Sequence, residues 1–189
     1  MKFTIAKIQE ALDKKSYQFF DTRLNIIGVR SSQTKANVFD DWLYIIYPEN
    51  TGKMIANEFQ ITTDPGTYWL ENPLSVDGTA ILVPGQYIDS HTLGLHRKKY
   101  EAIVQQKPLK VWRDNNKDNI IDTNGKTYEG IYGINIHSSN PKTESSIVEK
   151  WSAGCQVFKK VADFNLFMDV CKKSEQKSFT YTLLEESDF

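Results

Sequence analysis

Residues 130–158 read GIYGINIHSSNPKTESSIVEKWSAGCQVF, and the fold turns on how this stretch divides. Its first part, GIYGINIH (130–137), alternates: Tyr132, Ile134 and Ile136 fall on one face, Gly133, Asn135 and His137 on the other, as side chains of a strand do. The polar run SSNPKTESSIVEK, with Pro141, reads as a loop. WSAGC then sets Cys155 behind small residues. Beyond it the period changes, and KKVADFNLFMDVCKK (159–173) carries Val161, Phe164, Phe167, Met168 and Cys171 at helical spacing. The stretch predicts strand, loop, tight turn and helix, with a histidine ending the strand and a cysteine on the turn.

Outward from there the chain is strand-rich. LNIIGVR (24–30) and DWLYIIY (41–47) read as strands, and YPENTG (47–52) as the turn of a hairpin into KMIANEFQITT (53–63). A Pro-Gly turn lies in TDPGTYW (63–69), and another, Pro84-Gly85, ends the strand TAILVPGQY (79–87). YEAIVQQ (100–106), LKVWRD (109–114) and the closing FTYTLL (179–184) are further strands. Residues 4–15 are helical, with Ile5, Ile8 and Leu12 on one face. The expectation is a single β-rich domain over 1–189, mainly β or α+β, with residues 1–20 a helical N-terminal extension and a second helix after Cys155.

Composition narrows the function. The 189 residues are 40% hydrophobic and 12% aromatic, enough for a sizeable core. The 23 basic and 24 acidic residues leave a formal charge of −1, which argues against a nucleic-acid partner. No apolar run reaches the roughly 18 residues of a membrane span. Lys7 and Glu10 interrupt the N-terminus where a Sec-type signal needs an unbroken apolar segment. The two cysteines are too few for a disulfide framework; Cys171, inside an apolar helical stripe, reads as core.

Cys155 reads differently. The thiolate is the reactive form of cysteine, and an imidazole nearby can take the thiol proton and pass it to a leaving amine. His137, eighteen positions earlier, is the candidate base. Small Ala153 and Gly154 leave room for backbone N–H groups to stabilise an oxyanion.

INIHSSN followed by SAGC resembles the catalytic domain of the L,D-transpeptidase (YkuD-like) family, most clearly over residues 128–160. GINIH and WSAGCQV are similar to short members of phage and Bacteroidetes type. The resemblance implies a β-sandwich-like fold with Cys155 as nucleophile and His137 as base. It implies that a carbonyl at Ser138 orients the imidazole and that Ser152, Gly154 and Cys155 form the cysteine box. The implied substrates are peptidoglycan stem peptides, with no cofactor for catalysis. Ala153 stands where the family has histidine, and Val157, after Gln156, where it has Arg or Asn. These departures point toward a carboxypeptidase or endopeptidase rather than a transpeptidase. They also leave room for a wall-binding or phage or secretion-apparatus component that keeps only the fold. A chain made in the cytoplasm without a Sec-type signal is expected to reach the cell wall or periplasm by another route, with a possible delivery or immunity partner.

Other residues carry expectations too. His96 and Arg97, in GLHRKKY (94–100), are candidates to contact a substrate carboxylate or amide, whereas His91 reads as a loop residue. Asn135 shares the face of His137 and, with Ser152, is a candidate to contact substrate. Trp151, with Tyr68, Trp69 and Tyr132, could line a groove. In DNNKDNIID (114–122), Asp114, Asn116, Asp118 and Asp122 occupy positions 1, 3, 5 and 9 of an EF-hand-like loop, with the Ile120 carbonyl at position 7. Asn119 replaces the usual Gly, Gly125 replaces the final Glu, and Glu129 is a late candidate ligand. The expectation is a structural Ca²⁺ or, alternatively, a turn closed by Asx hydrogen bonds.

Overall fold

A strand buried on both faces organises one side of the molecule. In the structure, a computed structural model that describes residues 1–33 and 36–189, β1 (Asn25–Arg30) is buried at every position. Ile26 faces the main core, while Ile27 and Val29 face a second cluster. α1 (Ile5–Lys14) covers that cluster, laying Ile8, Ala11 and Leu12 against β1 and against Tyr44 and Ile46 of β2 (Asp41–Pro48). Each Ile or Leu buried this way stabilises the fold by roughly 1.5–3 kcal/mol. Thr4 caps the helix, its Oγ1 accepting the Lys7 amide at 3.3 Å. The helix is shorter than the 1–20 extension expected: it stops at Lys14, and Ser16 turns the chain with φ of 58°.

β2 runs into β3 (Met54–Thr62) through the expected hairpin, paired from Pro48↔Met54 to Asp41↔Ile61. The later strands are β4 (Thr79–Leu82), β5 (Gly85–His96), β6 (Tyr100–Gln105), β7 (Leu109–Asp114), β8 (Tyr128–Gly130), β9 (Ile136–Ser138), β10 (Gln156–Phe158) and β11 (Phe179–Glu185). Eight of them close into a barrel in the order β1–β11–β5–β6–β9–β10–β3–β2, and β4–β7–β8 form a separate sheet. The β-rich class follows the sequence, but the main sheet closes on itself where a sandwich was implied. β1 accepts β2 on one side and β11, in parallel, on the other, which removes the open edges that a sandwich keeps.

The main core fills the barrel with residues such as Leu43, Ile45, Phe59, Ile136, Phe158 and Leu183, and joins Leu82 and Val111 of the second sheet. α3 (Val161–Lys173), the helix expected after the cysteine, adds Phe164, Phe167, Met168 and Cys171 to it. A short α2 (Thr67–Glu71) precedes β4.

Two strand assignments change. GIYGINIH is not one strand: β8 ends at Gly130, β9 begins at Ile136, and Gly133 between them has φ of 72°. Side chains satisfy the backbone of this irregular piece. Gln105 Oε1 accepts the amides of Tyr132 and Ile134, each at 3.0 Å, and Gln105 Nε2 donates to the Gly130 carbonyl at 2.9 Å. Residues 85–96, read largely as turn and loop, form the twelve-residue strand β5. His91 is therefore no loop residue: it is wholly buried, with Nε2 3.0 Å from the Ile134 carbonyl.

Candidate active site

Parallel pairing of β9 and β10 brings the two candidate residues onto neighbouring strands. Val157 lies opposite His137, and the Gln156 amide donates to the Asn135 carbonyl at 2.9 Å, so Cys155 lies beside Asn135. Two residues along a strand and one strand across correspond to about 8 Å between the Cα atoms of Cys155 and His137. Ile136 and Phe158 point into the barrel core. By alternation, Asn135, His137 and Val157 point outward.

His137 is held in one orientation. Its Nδ1 lies 2.8 Å from the Ser138 carbonyl, as the resemblance implied, and 3.1 Å from the Tyr100 hydroxyl, which also donates to Ser138 O at 3.4 Å. With the proton on Nδ1, Nε2 keeps its lone pair, and it is buried with no hydrogen-bond partner. Burial, then the neighbouring His96 ring, push the imidazole down to about 3, so it is neutral at pH 7 but a weak base in this resting arrangement.

His96 stacks on His137, with ring centroids 4.0 Å apart and planes at 26°. Asn135 Nδ2 donates to His96 Nδ1 at 2.9 Å, and Asn135 Oδ1 accepts the Gln105 amide. Burial, followed by Arg97, lowers His96 to about 4. Asn135 thus fixes His96 and the backbone, and its polar atoms are already engaged.

Cys155 is a free, half-buried thiol. Its Sγ donates to the Gly133 carbonyl at 3.4 Å and accepts the Asn135 amide at 3.5 Å. Imidazole and sulfur are therefore not hydrogen-bonded in this resting arrangement. Burial pushes the thiol up to about 11, against the Asn135 N–H and Arg97, which favour the thiolate.

The cysteine turn is built tightly. Gly154 has φ of 113°, and a Cβ there would lie 2.2 Å from the Ala80 carbonyl, so only glycine fits. Ser152, expected to face substrate, is instead fully buried: its Oγ donates to the Cys155 carbonyl at 2.9 Å and accepts the Gly154 amide at 3.2 Å. That leaves the Gly154 N–H committed to the Ser152 hydroxyl. From inside the barrel, Gln156 Oε1 accepts the Tyr181 hydroxyl at 2.6 Å. Val157 packs with Phe39 and Val148, which accounts for an apolar residue at this position.

A cavity of about 720 Å³ is lined by His96, Arg97, Tyr100, His137, Trp151 and the exposed side of α3. A smaller hollow of about 170 Å³ is lined by Ala153, Ala80, Arg113 and Tyr132. Cys155 lines neither and sits on the turn beside Ala153. Arg97, at φ of 50° on the β5–β6 hairpin, brings a cation with no ion-pair partner among the described residues to the larger cavity. Tyr68 and Trp69 lie behind Trp151: Trp69 Nε1 donates to the Lys150 carbonyl, and the Lys150 ammonium sits 4.1 Å from the Tyr68 ring. Asp114, Asn116, Asp118 and Asp122 lie together on the β7–β8 connection, as expected, while Glu129 is exposed on β8.

Sequence reasoning missed Tyr100, Gln105, Gln156 and Tyr181. Only Tyr100 had a readable signal: it faces His96 across a tight hairpin. No helix among the described residues is long and apolar enough to cross a membrane. The chain matches no protein-family model, no curated protein and no solved structure.

Proposed function

We propose that the protein is a cysteine-nucleophile enzyme acting on the peptide stems of peptidoglycan. The observation that carries this reading is the His137 ring: tethered at Nδ1, with the Nε2 lone pair unpartnered among the described residues, one strand away from a free thiol. Substrate entering beside Cys155 displaces Sγ from the Gly133 carbonyl, and rotation about Cys155 χ1 turns the thiol toward Nε2. His137 takes the thiol proton as sulfur attacks the carbonyl carbon of the scissile amide. The Cys155 N–H supports the developing oxyanion. The tetrahedral intermediate collapses, the C–N bond breaks, and the imidazolium returns its proton to the departing amine. Water then resolves the thioester, giving a carboxypeptidase or endopeptidase; an acceptor amine in its place gives a transpeptidase. Hydrolysis is the favoured outcome, since Val157 is packed into the protein and offers no polar group to an acceptor. Arg97, with Lys99 and Lys150 on the cavity rim, suits the carboxylates of such a stem.

A second reading, a wall-binding component without activity, is favoured by the thiol's raised pKa and its bond to Gly133 O. Muropeptides incubated with wild type and with Cys155→Ala separate the two. Loss of one residue, split cross-links or an exchanged amine, seen by mass with wild type alone, support the enzyme. Identical products from both proteins would defeat it.

A further inference from the structure

The strongest unexplained feature outside the cysteine site is the β7–β8 connection. Asp114 closes β7 and is 1% exposed, yet its Oδ1 is buried with no hydrogen-bond partner among the described residues. A buried carboxylate oxygen left unpaired is costly. Its other oxygen, Oδ2, accepts the Asp122 amide at 3.0 Å across the loop, so the carboxylate is turned inward, toward Asp118 and Asp122.

Around it the loop is wound as a chelating turn is. Lys117 and Asn119 have positive φ of 63° and 64°, which curls the chain and brings alternate side chains to one side. Asp118 N donates to Asn116 Oδ1 at 3.2 Å, and Ile120 N donates to Asp118 Oδ1 at 2.9 Å. Those bonds leave Asp118 Oδ2 and Asp122 Oδ2 for another partner, and both accept from one group: Asn116 Nδ2 donates to them at 3.0 and 2.8 Å. One small positive dipole is thus gripped between two carboxylates, beside a third whose Oδ1 makes no well-formed hydrogen bond among the described residues. No three Asp, Glu, His or Cys side chains among the described residues form a closed metal cage as they stand. Here the amide holds the carboxylates apart.

We infer that the 114–122 loop is a Ca²⁺ site, with Asp114 Oδ1, Asn116 Oδ1, Asp118 Oδ2, Asp122 Oδ2 and the Ile120 carbonyl as ligands. Turning the Asn116 amide over withdraws its nitrogen and presents its oxygen. The cation then takes the position between the carboxylates and draws them in. All five ligands are hard oxygens from a pliable loop, with water completing the shell, which suits Ca²⁺ rather than zinc or the strictly octahedral Mg²⁺. The loop also grips its surroundings: Asn119 Nδ2 donates to Glu71 of α2 at 2.6 Å, and Asn115 Nδ2 donates to the Val76 carbonyl at 3.1 Å. A bound cation therefore braces β4, whose Ala80 carbonyl abuts Gly154. The site does not depend on the cysteine chemistry.

The test uses the full chain stripped with EDTA, then titrated with CaCl₂ or TbCl₃. Trp112, packed against Ile121, serves as the antenna for Tb³⁺ emission. At Ca²⁺ a hundredfold above its Kd, Tm should rise by about 5–10 °C. Tb³⁺ emission should saturate at one ion per chain, and calcium should compete it away. Asp118→Asn, in the exposed part of the loop, and Asp122→Asn, half-buried, should each weaken binding at least tenfold while the metal-free Tm stays near wild type. Cys155→Ala should bind as wild type does. No Tm change and no saturable emission at metal concentrations of about 5 mM, well above even weak calcium modules, would overturn the assignment. So would emission that Asp118→Asn and Asp122→Asn leave unchanged.

Discussion

The β2–β3 hairpin and the β9–β10 pair belong to the same barrel but are held by different forces. The hairpin is laddered without interruption from Asp41↔Ile61 to Pro48↔Met54, and its apolar side chains alternate between two cores. β9 and β10 have three residues each, and β9 meets β6 at one position, Ile103↔Ile136. What the ladder does for the hairpin, buried and half-buried polar side chains do here: His91, Gln156, Gln105 and Asn135 each bond to backbone. Long ladders commit the whole backbone to pairing. A side stitched by side chains leaves a half-buried thiol and a buried imidazole nitrogen that has no partner among the described residues.

Acid should break this comparison most visibly. In an unfolded chain each histidine gains its proton near pH 6.5, whereas burial holds His91 and His96 down to about 4 and His137 to about 3. Between those values the unfolded or locally open chain binds more protons, so lowering the pH favours opening. Each ring contributes about 1.4 kcal/mol per pH unit in that window. Asp40, Asp41 and Asp114 work the other way, since burial raises them, but all three lie off β5, β9 and β10. Hydrogen exchange at pH 5 against pH 7, corrected for intrinsic rates, should therefore show amides of 130–138 opening well before those of β2 and β3. Equal loss of protection on both sides would show that the polar stitching carries no special share of stability.

Ile45→Ala tests the hairpin side. Ile45 is fully buried in the main core, and its truncation should cost about 2–5 kcal/mol, read by urea unfolding. The pH profile of Cys155 alkylation should stay as in wild type. The same contrast explains what could be read in advance. NIIGVR and DWLYIIY announce strands because apolar burial sets their pattern. GIYGINIH looked like another, since Tyr132, Ile134 and Ile136 alternate just as well. What ends it is Gly133 and the reach of Gln105, a residue from a different strand. That His137 and Cys155 come to neighbouring strands was legible in the strand, loop and turn between them; that the sulfur turns to Gly133 instead of the imidazole was not. Ser152 was misread because a hydroxyl bracing a turn and one facing substrate look alike in a sequence. Tyr181 and Gln156 gave no signal, because their partnership exists only once the barrel closes.

The smallest effect is the most discriminating. Tyr181 passes its ring through the space above Gly28, where a Cβ would lie 2.0 Å from the phenol oxygen, and its hydroxyl reaches Gln156 Oε1 at 2.6 Å. Gln156 is fully buried, and its Nε2 lies 3.5 Å from the Gly154 carbonyl. The chain Gly28–Tyr181–Gln156–Gly154 thus runs from the laddered side of the barrel to the cysteine turn. Tyr181→Phe keeps the ring and deletes one hydrogen bond, for a loss of about 1 kcal/mol. Gly28→Ala forces the ring to move, and should be partly relieved in the Tyr181→Phe background, with a coupling of roughly 0.5–3 kcal/mol in a double-mutant cycle. Because the bond ends on Gln156, Tyr181→Phe should also change the rate of Cys155 alkylation several-fold, which the costlier Ile45→Ala should not. If the alkylation rate follows global stability across both variants, the two sides of the barrel are held in the same way.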